Sequence, residues 1–213
     1  MLNIIKISPY PTLIRPLAWL SLSLLALAAC TATTPLNSER IAARFGNYDV
    51  RVLDATFGRR ISSLESVEDG RPVTRTLAIV TFEPGAPAAI AGLHARIVDG
   101  ASIGATFRDA GWAIDKPLIG IAEVTIPQSS QAMATLMNVS LPITAGLHAY
   151  WFTITKGDVS VRYAAIVELH HPDYLSVADL ERIYGRTTQQ AATDRFKEDA
   201  LDVMQRLASR SAP

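Results

Sequence analysis

Residues 147–169 read LHAYWFTITKGDVSVRYAAIVEL, and this stretch decides the fold. It contains two runs rich in β-branched and aromatic residues, 147–155 and 159–169, on either side of Lys156-Gly157-Asp158. Residues of these types favour strands, and a short polar segment with a glycine favours a tight turn. The stretch therefore predicts a β-hairpin, which ends before Pro172.

A similar pattern occurs earlier in the chain. The runs 61–67 and 73–82 flank Glu68-Asp69-Gly70-Arg71, and an Asp-Gly pair between two such runs is a strong signal for a hairpin turn. The runs 48–53 and 118–126 are predicted as two further strands, because the first alternates and the second is almost entirely apolar. These patterns predict an antiparallel sheet of about five or six strands, built mainly from two hairpins.

Helical periodicity and capping residues predict helices at 38–45, 88–98, 102–110, 176–184 and about 193–209. Ser38 and Ser176 are predicted N-caps for two of them. The last helix carries a single apolar stripe, formed by Phe196, Ala200, Val203, Met204 and Leu207. We therefore expect an α+β fold in a single domain, 38–213, with the helices packed on one face of the sheet.

The two hairpins share a weak internal similarity at a constant offset of 87 residues. Gly70, Arg75, Ala78, Ile79, Val80, Ala91 and Leu93 recur as Gly157, Arg162, Ala165, Ile166, Val167, Ala178 and Leu180. A duplicated hairpin-and-helices unit explains this pattern, and compositional coincidence is the alternative. A duplication predicts two hairpins that share one sheet and are related by a pseudo-twofold axis.

The first 30 residues have the layout of a secretory signal. Lys6 and Arg15 precede an uncharged run, 17–29, which ends in Leu27-Ala28-Ala29-Cys30. Cys30 is the only cysteine of the chain. The alternatives are an ordinary cleaved signal and a retained membrane anchor, but a spanning helix needs about 20 apolar residues.

The tetrapeptide Leu27-Ala28-Ala29-Cys30 resembles the lipobox of bacterial lipoproteins. The resemblance implies a signal peptide, 1–29, that is removed, and a diacylglycerol and an N-terminal acyl group such as palmitate on Cys30. Residues 30–37 are then predicted as a lipidated tether that holds the domain to a membrane. Because Thr31 and not aspartate follows the cysteine, the resemblance implies a location at the outer membrane, facing the periplasm.

The composition of the mature chain excludes several classes of function. The signal contains two basic residues and no acidic one, so 18 basic and 20 acidic residues remain after its removal. With this nearly equal balance, the mature chain has no basic patch of the kind that favours nucleic-acid binding. Because Cys30 is the only thiol, the chain has no disulfide and no zinc site made of thiolates.

Gly100-Ala101-Ser102-Ile103-Gly104 matches the Gly-x-Ser-x-Gly pattern of serine hydrolases. In that chemistry Ser102 attacks the substrate and a histidine takes its proton, and the histidines 148, 170 and 171 all follow in the chain. The alternative is structural: Asp99-Gly100 ends one helix and Ser102 caps the next. The surrounding helical pattern favours the structural interpretation.

The segment Glu168-Leu169-His170-His171-Pro172-Asp173 is the other candidate site. Alternation places Glu168 and His170 on one face of the strand and His171 on the other. Imidazole and carboxylate groups bind zinc, but a third and a fourth ligand are not evident, with only His94 and His148 available. We therefore expect no metal site and no cofactor.

The aromatic residues of the second hairpin are divided between two faces, with Tyr150 and Phe152 on one and Trp151 on the other. One face is predicted to be core, and the other to lie under a helix, a protein partner or an apolar ligand. We expect a non-catalytic, lipid-anchored module that binds an envelope protein or a ligand, or supports envelope assembly. An anchored serine hydrolase that uses Ser102 and a downstream histidine is the alternative.

Overall fold

The computed structural model describes residues 34–56, 58–186 and 190–210, and the side chains of the last helix within 193–207. The predicted signal peptide and Cys30 lie outside the described residues. The described residues from 35 onward form one compact unit. Within the described part of the chain, every helix is too short or too polar to cross a membrane.

The fold is α+β, which confirms the predicted class. The strands are β1 Asp49–Thr56, β2 Arg59–Glu68, β3 Arg71–Phe82, β4 Ala113–Asp115, β5 Leu118–Ile126, β6 Ile143–Lys156 and β7 Val159–His170. The helices are α1 Asn37–Phe45, α2 Ala91–Val98, α3 Ile103–Asp109, α4 Gln131–Met137, α5 Val177–Tyr184 and α6 Gln190–Arg210, with a 3-10 turn at Ala88–Ile90. Two of these elements, β4 and α4, are too short to have a clear periodicity and were not predicted.

All seven strands of the described chain belong to one antiparallel sheet. Its order is β1-β2-β3-β7-β6-β4, and β5 pairs with another part of β6. The turn between β2 and β3 has positive φ at both Asp69 and Gly70, as a tight two-residue hairpin turn requires. The two predicted hairpins therefore exist and lie side by side, joined where β3 pairs with β7.

The helices cover both faces of the sheet, so the prediction that they pack on one face is wrong. The first face carries Leu77 and Val167, and α4 and α6 pack against it. The second face carries Val80 and Ile166, and α1, α2, α3 and α5 cover it. The physical reason is that β3 and β7 are apolar at consecutive positions, so both of their faces must be removed from water.

The seven residue pairs at an offset of 87 are not related by a twofold axis in this sheet. Ile79 lies on the first face, whereas Ile166, its counterpart in the proposed repeat, lies on the second. A twofold axis between antiparallel strands keeps each residue on its own face, and a shift of one residue reverses the face. The structure therefore argues for coincidence and against duplication.

The domain begins earlier than the predicted boundary at residue 38. Leu36 and Asn37 are only 7% and 4% exposed, so they belong to the core and not to a tether. Leu36 is the N-cap residue of α1 in place of Ser38, and its backbone N–H donates to the carboxylate of Glu39. Its side chain fills the space that Gly104 leaves in α3, where a Cβ would lie 2.9 Å from Leu36 Cδ1.

The apolar stripe of α6 is docked on the first face, as its pattern predicts. Ala200, Val203 and Met204 are fully buried in the core cluster that contains β5, β6 and β7. Phe196 packs at the edge of the same cluster and is only partly buried. Most of the stability of this helix therefore comes from the packing of its central turns.

We predict that Met204→Ala lowers the free energy of unfolding by about 2–5 kcal/mol, because it opens a cavity under α6. Truncation of a fully buried phenylalanine ring costs about 3–5 kcal/mol. Because Phe196 is only partly buried, Phe196→Ala is expected to lower the free energy of unfolding by less than that. The control Gln205→Ala, on the exposed side of the helix, should change stability by less than about 0.5 kcal/mol. Chemical denaturation measures all three, and equal midpoints for Met204→Ala and Gln205→Ala would contradict the docking.

Candidate functional site

Three ionisable side chains lie together on the second face of the sheet. They are His148 of β6 and Glu168 and His170 of β7, and they are 0%, 4% and 0% exposed. Fully buried ionisable groups are rare unless they are paired or hold a ligand. Their burial among apolar residues makes this group, the buried triad, the candidate functional site.

A β-bulge brings the triad together. At the hairpin turn Lys156 pairs with Val159, and a regular continuation of that register would place His148 opposite Val167. The register shifts between Phe152 and Thr153 of β6 because β7 has one additional residue there, and His148 consequently faces Glu168. His170 follows two positions after Glu168, on the same face of β7.

The three side chains are close but do not form hydrogen bonds with one another. His148 Nδ1 lies 3.7 Å from Glu168 Oε2, and His170 Nε2 lies 3.8 Å from the same oxygen. Both distances exceed hydrogen-bond length. Among the residues that the structure describes, both ring nitrogens of His148, Oε2 of Glu168 and Nε2 of His170 consequently have no hydrogen-bond partner. A buried polar atom without a partner costs about 1–3 kcal/mol.

The far side of His170 is held by a chain of buried hydrogen bonds. Nδ1 of His170 lies 3.0 Å from Oγ1 of Thr76, which also accepts a hydrogen bond from Nδ2 of Asn37 at 3.1 Å. The hydroxyl of Tyr174 donates to Oδ1 of Asn37 at 2.7 Å. This chain, which runs from β7 through β3 to α1, fixes the ring of His170 with Nε2 directed at Glu168.

The other two members of the triad are held by Tyr150 and Tyr184. The hydroxyl of Tyr150 donates to Oε1 of Glu168 at 3.2 Å. The ring of His148 stacks on both tyrosine rings, with centroids 4.7 Å from Tyr150 and 3.9 Å from Tyr184. These contacts fix the orientation of His148 and Glu168.

Burial lowers the pKa of both His148 and His170 because it disfavours the charged imidazolium. Burial alone would raise the pKa of Glu168, but the nearby His148, His170 and Lys116 outweigh that effect and lower it. Burial therefore favours the neutral form of both imidazoles.

A small cavity adjoins the carboxylate of Glu168. It has a volume of about 60 Å³, and its wall includes Lys116, Arg60, Tyr48 and Ser102. A water molecule needs roughly 10–15 Å³ of such space, whereas typical pockets for organic ligands measure about 300–1,000 Å³. The cavity therefore suits an ion or a few water molecules and is too small for an organic substrate.

Ser102 lies on the wall of this cavity, but the structure does not pair it with a base. It is the N-cap residue of α3 and follows α2, so it does not occupy the strand-to-helix turn of a nucleophile elbow. Among the described residues, no hydrogen bond joins Ser102 to a histidine. His94 is bonded instead to the hydroxyl of Tyr163.

His171 is separate from the triad, as strand alternation predicts. Its Nε2 lies 2.9 Å from the carbonyl oxygen of Met137, and its Nδ1 accepts a hydrogen bond from the backbone N–H of Asp173. The expectation of no metal site rested on the lack of a third and a fourth ligand beside Glu168 and His170. The bulge places His148 beside them as a third candidate ligand, and the cluster contains no fourth among the described residues.

The aromatic residues of β6 divide between the faces as predicted. Tyr150 and Phe152 are buried in the core of the second face, whereas Trp151 packs at the edge of the core of the first. The guanidinium of Arg162 lies 4.4 Å from the centre of the Trp151 ring and covers it. These rings therefore serve packing, and Tyr150 also serves the triad.

Comparisons with protein-family models, with curated proteins and with solved structures found no match for this chain.

The close approach of α5 to the sheet beside the triad depends on Gly146. A Cβ at this position would lie 2.9 Å from the carbonyl oxygen of Leu175 and 3.1 Å from Leu180 Cδ1. We predict that Gly146→Ala lowers the free energy of unfolding by about 1–3 kcal/mol, because the backbone before α5 has to move.

The matched control is Gly92→Ala in α2, where a Cβ would meet nothing within 4 Å. It should be neutral or stabilising by up to about 1 kcal/mol, because alanine is the better helix former. Denaturation midpoints of both variants check the pair, and a Gly146→Ala protein as stable as the wild type would be evidence against the tight seating of α5.

Proposed function

We propose that this chain is a lipid-anchored cell-envelope protein whose domain binds a small ligand at the buried triad without transforming it. The observation that carries the proposal is that unpartnered atoms of three fully buried side chains meet: His148 Nδ1 and His170 Nε2 lie 3.7 and 3.8 Å from Glu168 Oε2. Folding leaves the hydrogen-bonding capacity of these atoms unused, and a bound ligand would satisfy it.

The surroundings of the triad favour binding over catalysis. The adjoining cavity of about 60 Å³ admits only a very small ligand. Ser102 has no histidine base, so the alternative of a serine hydrolase has no geometric support in the described residues. The hydrogen bonds and ring contacts that hold the three side chains provide the rigidity that a selective binding site needs.

The proposed location rests on the resemblance of Leu27-Ala28-Ala29-Cys30 to a lipobox. A diacylglycerol and an acyl group on Cys30 would hold the protein firmly, because two or more chains anchor a protein much more strongly than one. The proposed cellular location is the periplasmic side of the outer membrane. The proposed partner is an envelope protein that interacts with the ligand-bound form of the domain.

We predict that Cys30→Ala abolishes lipidation, because the thiol is the attachment point that the resemblance implies. Mass spectrometry of the N-terminal peptide should show a diacylglyceryl-modified, acylated Cys30 in the wild type and an uncleaved or unmodified chain in the variant. The control Ser23→Ala, within the apolar run, should be lipidated normally. An intact signal or a free thiol in the wild-type protein would rule out the anchor.

Ligand binding at the triad is tested by thermal unfolding of the full chain in detergent. The probes are zinc, cobalt, manganese and calcium chlorides, sodium phosphate and sodium acetate. At 100 times its dissociation constant, a ligand that binds only the folded state stabilises it by about 2.7 kcal/mol. At least one probe should raise the melting temperature of the wild type and not that of Glu168→Gln. If every probe acts equally on both proteins, the binding function is wrong.

A further inference from the structure

We propose that the ligand of the buried triad is a divalent first-row transition-metal cation, coordinated by His148, Glu168 and His170. The inference rests on the proposed binding function and names the chemical class of its ligand. One ligand atom from each of the three residues lies within 4.8 Å of the other two.

The donor set selects the class of ion. Two imidazoles and one carboxylate are the ligands that zinc and ferrous iron take in protein sites that keep an open position. Calcium and magnesium prefer oxygen ligands throughout, and cuprous copper prefers sulfur. The triad has two nitrogen donors, one carboxylate and no sulfur, so it fits zinc, iron, cobalt or nickel better than these other ions.

The distances fit a site that closes slightly around an ion. Zinc lies about 2.0–2.2 Å from nitrogen and oxygen ligands, which places tetrahedral ligand atoms roughly 3.4 Å apart. The observed separations from Glu168 Oε2 are 3.7 Å to His148 and 3.8 Å to His170. Shifts of a few tenths of an ångström at each side chain are therefore sufficient for these two pairs.

Two of the three proposed ligands, His170 and Glu168, have supporting groups of the kind found in known metal sites, whereas the second ring nitrogen of His148 has no hydrogen-bond partner among the described residues. A histidine that binds a metal through one nitrogen generally has the other held by a hydrogen bond, which fixes the ring. Thr76 meets this requirement for His170, and Asn37 holds Thr76 in turn. The hydroxyl of Tyr150 holds the remaining oxygen of Glu168.

The cavity beside Glu168 reaches one of the three proposed ligands, because its wall includes Glu168 but neither His148 nor His170. Its volume of about 60 Å³ admits water next to that carboxylate. Lys116 also borders this cavity, with its ammonium group 5.1 Å from the centre of the Tyr150 ring. The positive charge of Lys116 disfavours a metal cation nearby. The competing arrangement is therefore a metal-free triad in which Lys116 neutralises Glu168.

The test uses the full chain, purified in detergent without a histidine tag and dialysed against a chelator. Zinc chloride is titrated in by calorimetry, and cobalt chloride is followed by its visible absorption, which reports nitrogen and oxygen ligation. We expect one ion per chain. Glu168→Gln and His148→Gln should weaken binding by at least about 100-fold, since each removes a ligand, and Thr76→Val by about 10- to 100-fold.

His94→Gln is the matched control, because it removes a histidine outside the triad, and it should bind zinc as the wild type does. Thr76→Val replaces no ligand and keeps the volume of the side chain, so it remains informative if the ligand variants unfold. The metal proposal is overturned if the wild type binds no zinc or cobalt, or if Thr76→Val and the ligand variants bind them unchanged. If phosphate or acetate stabilises the wild type and not Glu168→Gln, and the metals stabilise neither protein, the metal assignment fails while the binding function stands.

Discussion

The register between β6 and β7 is the constraint on which the rest of this structure depends. One additional residue in β7 shifts the pairing by one position, and that shift determines what each later residue of the hairpin faces. Beyond the bulge, Leu147 and Leu169 meet on the first face, and His148 and Glu168 meet on the second. Without the bulge, His148 would lie opposite Val167, and Glu168 would not face a histidine.

The two faces of the sheet then have different tasks. The first face is an ordinary apolar core, closed by α4 and α6. The second face holds polar groups inside an otherwise apolar layer, where unpaired atoms are costly. The apolar packing around α2, α3 and α5 stabilises the fold enough to offset the cost of these buried polar groups. We interpret this tolerated cost as the mark of a binding site, in agreement with the view that proteins break local rules at functional positions.

The four histidines show how context separates similar residues. His94 is hydrogen-bonded to the hydroxyl of Tyr163, and His171 is hydrogen-bonded to backbone groups of Met137 and Asp173, all outside the triad. His148 and His170 instead direct nitrogen atoms without partners at one carboxylate oxygen. Two adjacent histidines in the sequence, 170 and 171, thus have unrelated roles, because alternation sends their side chains to opposite faces of the strand.

The sequence by itself determined the fold class, both hairpins, the β5 strand, the capped helix α5 and the amphipathic helix α6, since each has a local periodicity or a cap. It also indicated that Glu168 and His170 share a face. It could not show that the helices cover both faces, that Leu36 and Asn37 belong to the core, or that His148 completes the triad. Those features depend on contacts between residues far apart in the chain and on a bulge that changes the register by one residue. Local patterns carry no information about such a shift, so only the tertiary structure decided where the buried polar groups meet.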